Sequence, residues 1–253
     1  MLQNLSLHRL RSARLLWPTV LSLIALAILL SLGSWQLQRR QWKDGVLAQI
    51  AARVHAEPVP LAQAEAMAGR GEDVAYLHVT SRGRFHHDKE RYVYAPAPAG
   101  LGWHVYTPLE LPAGRIVWVN RGFVPDDRKV PATRAEGQTA GEIEVRGLAR
   151  TAAHPGAFTP ANDVVRNIWH WPNLPALSAS AFGAKPPATL AFAVDADAQP
   201  APPGGLPRGG VTRLELPNRH LEYAVTWYGL ALTLIGVYLA FAASRLGLSR
   251  ATT

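Results

Sequence analysis

The chain has 253 residues, no cysteine, and a formal charge of +8 from 26 basic and 18 acidic side chains. The missing cysteine excludes a disulfide framework, a zinc–thiolate site and thiol chemistry. The charge is no nucleic-acid surface: Arg9, Arg11, Arg14, Arg245 and Arg250 belong to short tails, and no basic stripe with interleaved aromatics appears.

A mean hydropathy of zero averages two populations. From Leu15 to Gln38, between Arg14 and Arg39, a mostly apolar run carries no charge. About 20 residues at about 1.5 Å rise cross a hydrocarbon core, so residues 15–38 read as a membrane helix after a short tail at 1–14. Trp17 and Trp35 suit interfacial anchors, and Pro18 is tolerated in a first turn. The basic start and Ser31-Leu32-Gly33 also fit a cleaved signal peptide, but the run exceeds the roughly 7–15 residues of a signal core. A retained anchor is the preferred reading. Trp42, Val46, Leu47, Ile50, Ala51 and Val54 recur at helical spacing and predict that the helix continues over 39–54.

The extramembrane region, 39–222, reads mainly as strands. β-rich runs occupy Ala75–Arg84, Arg91–Ala95, Trp103–Leu109, Arg115–Arg121, Glu142–Leu148 and Thr189–Val194, separated by turn signals such as Pro96-Ala97-Pro98 and Pro112-Ala113-Gly114. That spacing predicts a mainly antiparallel meander, a small barrel or a sandwich, with short helices. Val164–Phe182 has helical spacing interrupted by Pro172 and Pro175. Ala196–Gly210 reads as a Pro/Gly/Ala linker. A second membrane helix follows at 223–244, between Glu222 and Arg245, then a tail at 245–253. The fold class is thus a membrane α-hairpin holding a β-rich domain, with both termini on one side. Charge alone does not orient it, because Arg39, Arg40 and Lys43 nearly balance the N-terminal arginines.

No hydrolase elbow, phosphate loop, His-Glu-x-x-His pair or dinucleotide fingerprint occurs. Gly100-Leu101-Gly102 reads as a strand-entry turn, and His86-His87-Asp88 as a hairpin tip rather than a metal fragment. Asn120-Arg121-Gly122 ends a strong strand; it is either a glycine turn or an exposed Arg121 offered to a partner. Pro217 stops what precedes it and Asn218 is a good N-cap, placing His220 in the first turn of the second membrane helix. Tyr223 and Trp227 share its face. A positive helix end favours the neutral imidazole that binds metals. A flat apolar macrocycle lying there would find Arg219 for its carboxylates; the alternative is an interfacial histidine with no ligand.

Leu32-Gly33-Ser34-Trp35-Gln36-Leu37-Gln38-Arg39 resembles the first-helix signature of the surfeit-locus protein 1 family. Gly102 to Pro108 and Val119-Asn120-Arg121-Gly122-Phe123-Val124-Pro125 resemble its mid-domain pattern. Asn218-Arg219-His220-Leu221-Glu222-Tyr223-Ala224-Val225-Thr226-Trp227-Tyr228 is similar to its second-helix signature. The resemblance implies a non-enzymatic assembly factor for haem–copper cytochrome c oxidase, with an extracytoplasmic domain and both termini cytoplasmic. In bacterial members it implies binding of haem a through the histidine matching His220, and delivery to the oxidase catalytic subunit. Haem a synthase and other assembly factors are further expected partners. Arg219, Tyr223 and Trp227 would then surround the cofactor. A cofactor-free scaffold, with Arg121 at its contact surface, is the competing expectation. The first span begins by residue 15, which leaves no room for a mitochondrial transit peptide and points to a bacterial inner membrane. The pattern departs from the family at Asn173, within Trp169-His170-Trp171-Pro172-Asn173-Leu174, where relatives usually carry an acidic residue.

Overall fold

The computed structural model describes residues 15–97, 100–151, 154–212, 214 and 218–246. Both expected tails lie outside these, apart from Arg245 and Leu246, as do Pro98 and Pro217. The chain forms two compact units: Ile50–Leu214, and the terminal segments Met1–Gln49 with Glu215–Thr253.

Helix α1 (Leu16–Val54) runs unbroken for 39 residues, joining the expected span and its extension. Its Leu/Ala/Ile-rich sequence has strong helix propensity, and its apolar side chains are mostly exposed, as suits lipid rather than a protein core. The last turn docks within the Ile50–Leu214 unit, where Arg53 Nη1 donates to the carbonyl of Ala75 at 2.8 Å and pairs with Asp73 at 3.2 Å.

Among the described residues, the larger unit holds seven strands: β1 (Val59–Pro60), β2 (His78–Phe85), β3 (Arg91–Ala97), β4 (Gly100–Glu110), β5 (Ile116–Pro125), β6 (Glu142–Thr151) and β7 (Phe192–Ala196). Their order is β1-β2-β6-β7-β5-β4-β3, and β2 also pairs with β4. Strands β2, β6, β7, β5 and β4 therefore close on themselves as a small barrel. The expected meander survives only across β3, β4 and β5. Strands β5 and β7 run parallel, as do β1 and β2. The two-residue β1 and the following helix α2 (Leu61–Gly69) carried no sequence signal, and Leu61 and Ala64 of α2 join the core.

Strand β5 is buried on both faces, which explains its unbroken apolar run. Val117 and Val119 join Val79, Leu109, Val145, Phe192 and Val194 in one core. Trp118 lies in another, with Trp169 and helix α3 (Leu174–Phe182), and donates its indole N–H to Ser178 Oγ at 2.9 Å. Pro172 precedes that helix and Pro175 falls in its first turn, where the missing N–H costs nothing. Asn173 is its N-cap, accepting from the Ala176 N–H at 3.2 Å. An acidic residue there would cap as well, so the departure at this position keeps the local structure.

Two sequence expectations are corrected here. Asn120-Arg121-Gly122 does not end a strand, because β5 continues to Pro125. The Ala196–Gly210 segment is no free tether. Arg208 exchanges two backbone hydrogen bonds with Phe123, at 2.8 and 2.9 Å, and Pro207 is buried. Gly122, at φ 116°, permits this docking: a Cβ would stand 1.7 Å from the Arg208 carbonyl oxygen.

Candidate functional site

Helix α4 (His220–Arg245) lies in the same unit as the first part of α1, and both are long and apolar enough to cross a membrane. Three polar rungs tie them in antiparallel register, and a fourth joins α1 to Asn218, just ahead of α4. Thr19 Oγ1 and Tyr238 OH are 2.6 Å apart, and Ser34 Oγ and Tyr228 OH 3.2 Å. The His220 Nδ1–H donates to Gln36 Oε1 at 2.7 Å, and Asn218 Nδ2 donates to Asp44 Oδ1, also at 2.7 Å. Small residues let the backbones approach: Gly33, Ala224 and Ala231 are buried, and the Tyr228 ring covers Gly33.

His220 opens α4, as the sequence predicts, but Asn218 does not cap it. Arg219 occupies the cap position without a side-chain cap bond; Asn218 donates through Nδ2 to Asp44, while its Oδ1, the atom a cap would use, has no partner among the described residues. The His220 ring is half-buried. Gln36 Oε1 can only accept, so Nδ1 carries a hydrogen in this contact, and in the neutral ring the lone pair then falls on Nε2. Among the described residues, Nε2 has no hydrogen-bond partner. Tyr223 is exposed and Trp227 half-buried on the same helix face, and neither ring stacks on His220 among the described residues. Arg219 is exposed and holds Glu222 at 3.0 Å, whose hydrogen bond and charge raise the guanidinium pKa. Sequence reasoning placed His220 but missed Gln36. The available signal was a polar amide late in an apolar span, where such a group normally needs a partner.

Arg121 is not the exposed contact residue expected. Its side chain is buried, 6% accessible, and ion-paired to Glu90 at 3.3 Å. Nη2 donates to the Gly137 carbonyl, and the guanidinium lies over the Phe85 ring, 5.0 Å from its centroid. A partner has no access to it. Arg134 reaches the same carboxylate through both terminal nitrogens, and Tyr92 OH donates to it at 3.0 Å. Burial alone would raise the Glu90 pKa, but the groups of His87 and Arg134 and the charges of Arg134 and Arg121 outweigh it and hold it at about 2. Burial pushes Arg121 down to about 10, because the attraction of Glu90 is offset by the neighbouring Arg134. One carboxylate thus serves two buried guanidiniums. Glu90 and Arg134 are far apart in sequence, and nothing in their local pattern announced them.

His86-His87-Asp88 links β2 to β3, but these two strands do not pair, so the segment is a connection between separated strands and not the expected hairpin tip. No metal-holding group of three occurs among the described residues. The two mid-domain stretches are cross-strand neighbours: Gly102 opposes Pro125, Trp103 opposes Val124 and His104 opposes Phe123.

Two terminal helices able to span a membrane, carried by a small-barrel domain between them, define a membrane-anchored β-domain protein. The chain belongs to the SURF1 family, whose profile matches residues 23–232. It is similar to Surfeit locus protein 1 of Homo sapiens, 41% identical over 217 residues, which cover 79% of this chain and 69% of the human one. The Gallus gallus protein of that name is 38% identical over 218 residues, 79% of this chain and 67% of its own. A SURF1-like protein of Drosophila melanogaster is 32% identical over 219 residues, 79% and 69% respectively.

Proposed function

We propose that the chain is a non-enzymatic assembly factor of the bacterial inner membrane that receives haem a and helps deliver it to the catalytic subunit of a cytochrome c oxidase. The observation that supports the haem step is the His220–Gln36 bond. Metal-binding histidines commonly donate their second ring N–H to an oxygen, which fixes the tautomer and turns the other nitrogen toward the metal. Gln36 supplies that oxygen, and Nε2 is left for an iron atom. Tyr223 and Trp227, at three and seven residues from His220, offer apolar surface to a macrocycle. Arg219 would exchange Glu222 for a propionate, one exposed carboxylate for another, at little net cost.

The decisive experiment co-expresses the full chain with a haem a synthase, purifies it, and records the Soret band for wild type and His220→Ala. Bound haem that falls sharply in the variant supports the proposal. A haem-free wild type sinks it, and leaves the cofactor-free scaffold, for which co-purification of the oxidase subunit without haem is the expected signature. Equal occupancy in both proteins removes His220 as the ligand.

A further inference from the structure

Midway along α1 between the Gln36–His220 and Asp44–Asn218 contacts lies Arg40. Gln36, Arg40 and Asp44 are spaced four residues apart, so at about 100° per residue they step only about 40° around the helix each time. Both flanking residues touch the start of α4 or the residue just ahead of it. Arg40 therefore stands on that same side of α1, level with the first turn of α4. Its burial agrees: Arg40 is half-buried, whereas its neighbours Arg39 and Gln41 are exposed.

The arginines here are unequally employed. Arg39 lies over the Trp42 ring, 3.9 Å from its centroid. Arg219 is held by Glu222, whose Oε2 takes both Nε and Nη2 at 3.0 Å. Arg40 has only a long contact, Nε to Asp44 Oδ2 at 3.6 Å. The other oxygen of that carboxylate already takes the Asn218 amide at 2.7 Å. Neither terminal nitrogen of Arg40 has a hydrogen-bond partner among the described residues. A guanidinium fixed on the His220 side of α1 thus keeps the two-pronged end of its fork unpaired.

We infer that Arg40 is a second carboxylate anchor of the His220 site, taking one propionate of the haem while Arg219 serves the other; the inference rests on the haem reading above. A haem carries two propionates, and Arg219, already answered by Glu222, leaves at least one of them without a cation. Arg40 can accept a carboxylate through both terminal nitrogens without first giving up a bonded partner. Water would also take those N–H groups but brings no opposite charge. Asp44 is the one carboxylate in ion-pair range of Arg40 among the described residues, and Asn218 competes for it.

The test titrates the full chain, in neutral dodecyl maltoside micelles, with haem a and with its propionate dimethyl ester, followed at the Soret band. Arg40→Met should weaken haem a roughly tenfold and the diester less than about twofold, because only the acid offers a charge to lose. Arg40→Lys should recover part of the loss, keeping the charge without the fork. The Soret position should be the same in wild type and Arg40→Met, since the iron stays with His220. The unfolding midpoint should hold, because the variant gives up only a partly exposed i,i+4 pair. Equal weakening of both ligands, no weakening of haem a, or a shifted band would each overturn the assignment. An effect of Arg40 that vanishes when phosphatidylglycerol is added to the micelles would give the residue to lipid headgroups instead. The His220→Ala protein keeps the two readings apart. If it binds both ligands as wild type does, or if wild type binds neither, the haem reading fails and takes this one with it; if it loses both while Arg40→Met loses neither, Arg40 alone is wrong.

Discussion

Replacing Glu90 by Gln keeps the shape of the side chain and removes its charge, leaving the buried guanidiniums of Arg121 and Arg134 uncompensated. A carboxyl held at about 2 in the folded protein against 4.5 for the free group corresponds to roughly 3 kcal/mol at about 1.4 kcal/mol per decade. Breaking a buried ion pair from one side costs about 3–5 kcal/mol in general, so the two routes agree. For a domain of this size the loss should lower the unfolding midpoint by roughly 6–15 °C, measured by circular dichroism on the full chain in detergent at pH 7.

The pH dependence gives the sharper check. The folded pKa of Glu90 is depressed, so its contribution is complete above the unfolded value of 4.5 and disappears as pH falls toward about 2. Wild type and Glu90→Gln should therefore differ most at neutral pH and converge as the medium is acidified through that window. Adding Arg134→Met to Glu90→Gln should recover part of the loss, since an apolar replacement removes one stranded charge. A gap below about 1 kcal/mol at pH 7, or one that stays constant down to pH 2, would refute the idea that this carboxylate is ionised and paired in the fold.

Other positions give independent checks. Gly122→Ala sets a methyl 1.7 Å from the Arg208 carbonyl oxygen at a φ of 116°; it should detach the 208–209 segment and cost well over about 2 kcal/mol, seen as a lower midpoint and faster proteolysis after Ala196. Gly33→Ala brings a carbon within 2.9 Å of the Tyr228 ring. It should break the Ser34–Tyr228 rung and cost about 1–2 kcal/mol in SDS-induced unfolding, with a much smaller penalty when Tyr228 is already Leu. Asn173→Ala should cost about 1 kcal/mol through loss of the α3 cap, whereas Asn173→Asp should be neutral or slightly stabilising in the same thermal melt.

The periodic parts of the fold were legible, because exposure to lipid and alternate burial both write themselves into neighbouring residues. Both long helices and six of the seven strands lie where hydropathy or β-rich runs put them. Strand order was not legible: the parallel β5–β7 pair joins Val119 to Val194, and no local pattern encodes a partner so distant in sequence. Turn chemistry misled at Asn120-Arg121-Gly122, where the glycine serves a segment arriving from residue 208 rather than a reversal. Arg121 failed for a related reason. An arginine beside a strand-ending signal reads as exposed, yet here burial is compensated by Glu90, which is 31 residues away in sequence.

The four rungs that α1 makes with α4 and Asn218 bear on the candidate ligand more than any one of them does alone. Inside an apolar medium the association of two helices has little hydrophobic drive, so register depends on packing and on such polar pairs. The Ser34–Tyr228 and Asp44–Asn218 contacts bracket the Gln36–His220 bond on both sides. A slip of one residue would carry Gln36 around the helix by about 100° and away from the imidazole. With the rungs in place, the ring is held at a set position along α1 with Nδ1 engaged. A histidine held only by an aromatic belt at the membrane interface would need no bracketed amide partner. On the proposed reading, this bracketed bond is what would present Nε2 to a ligand.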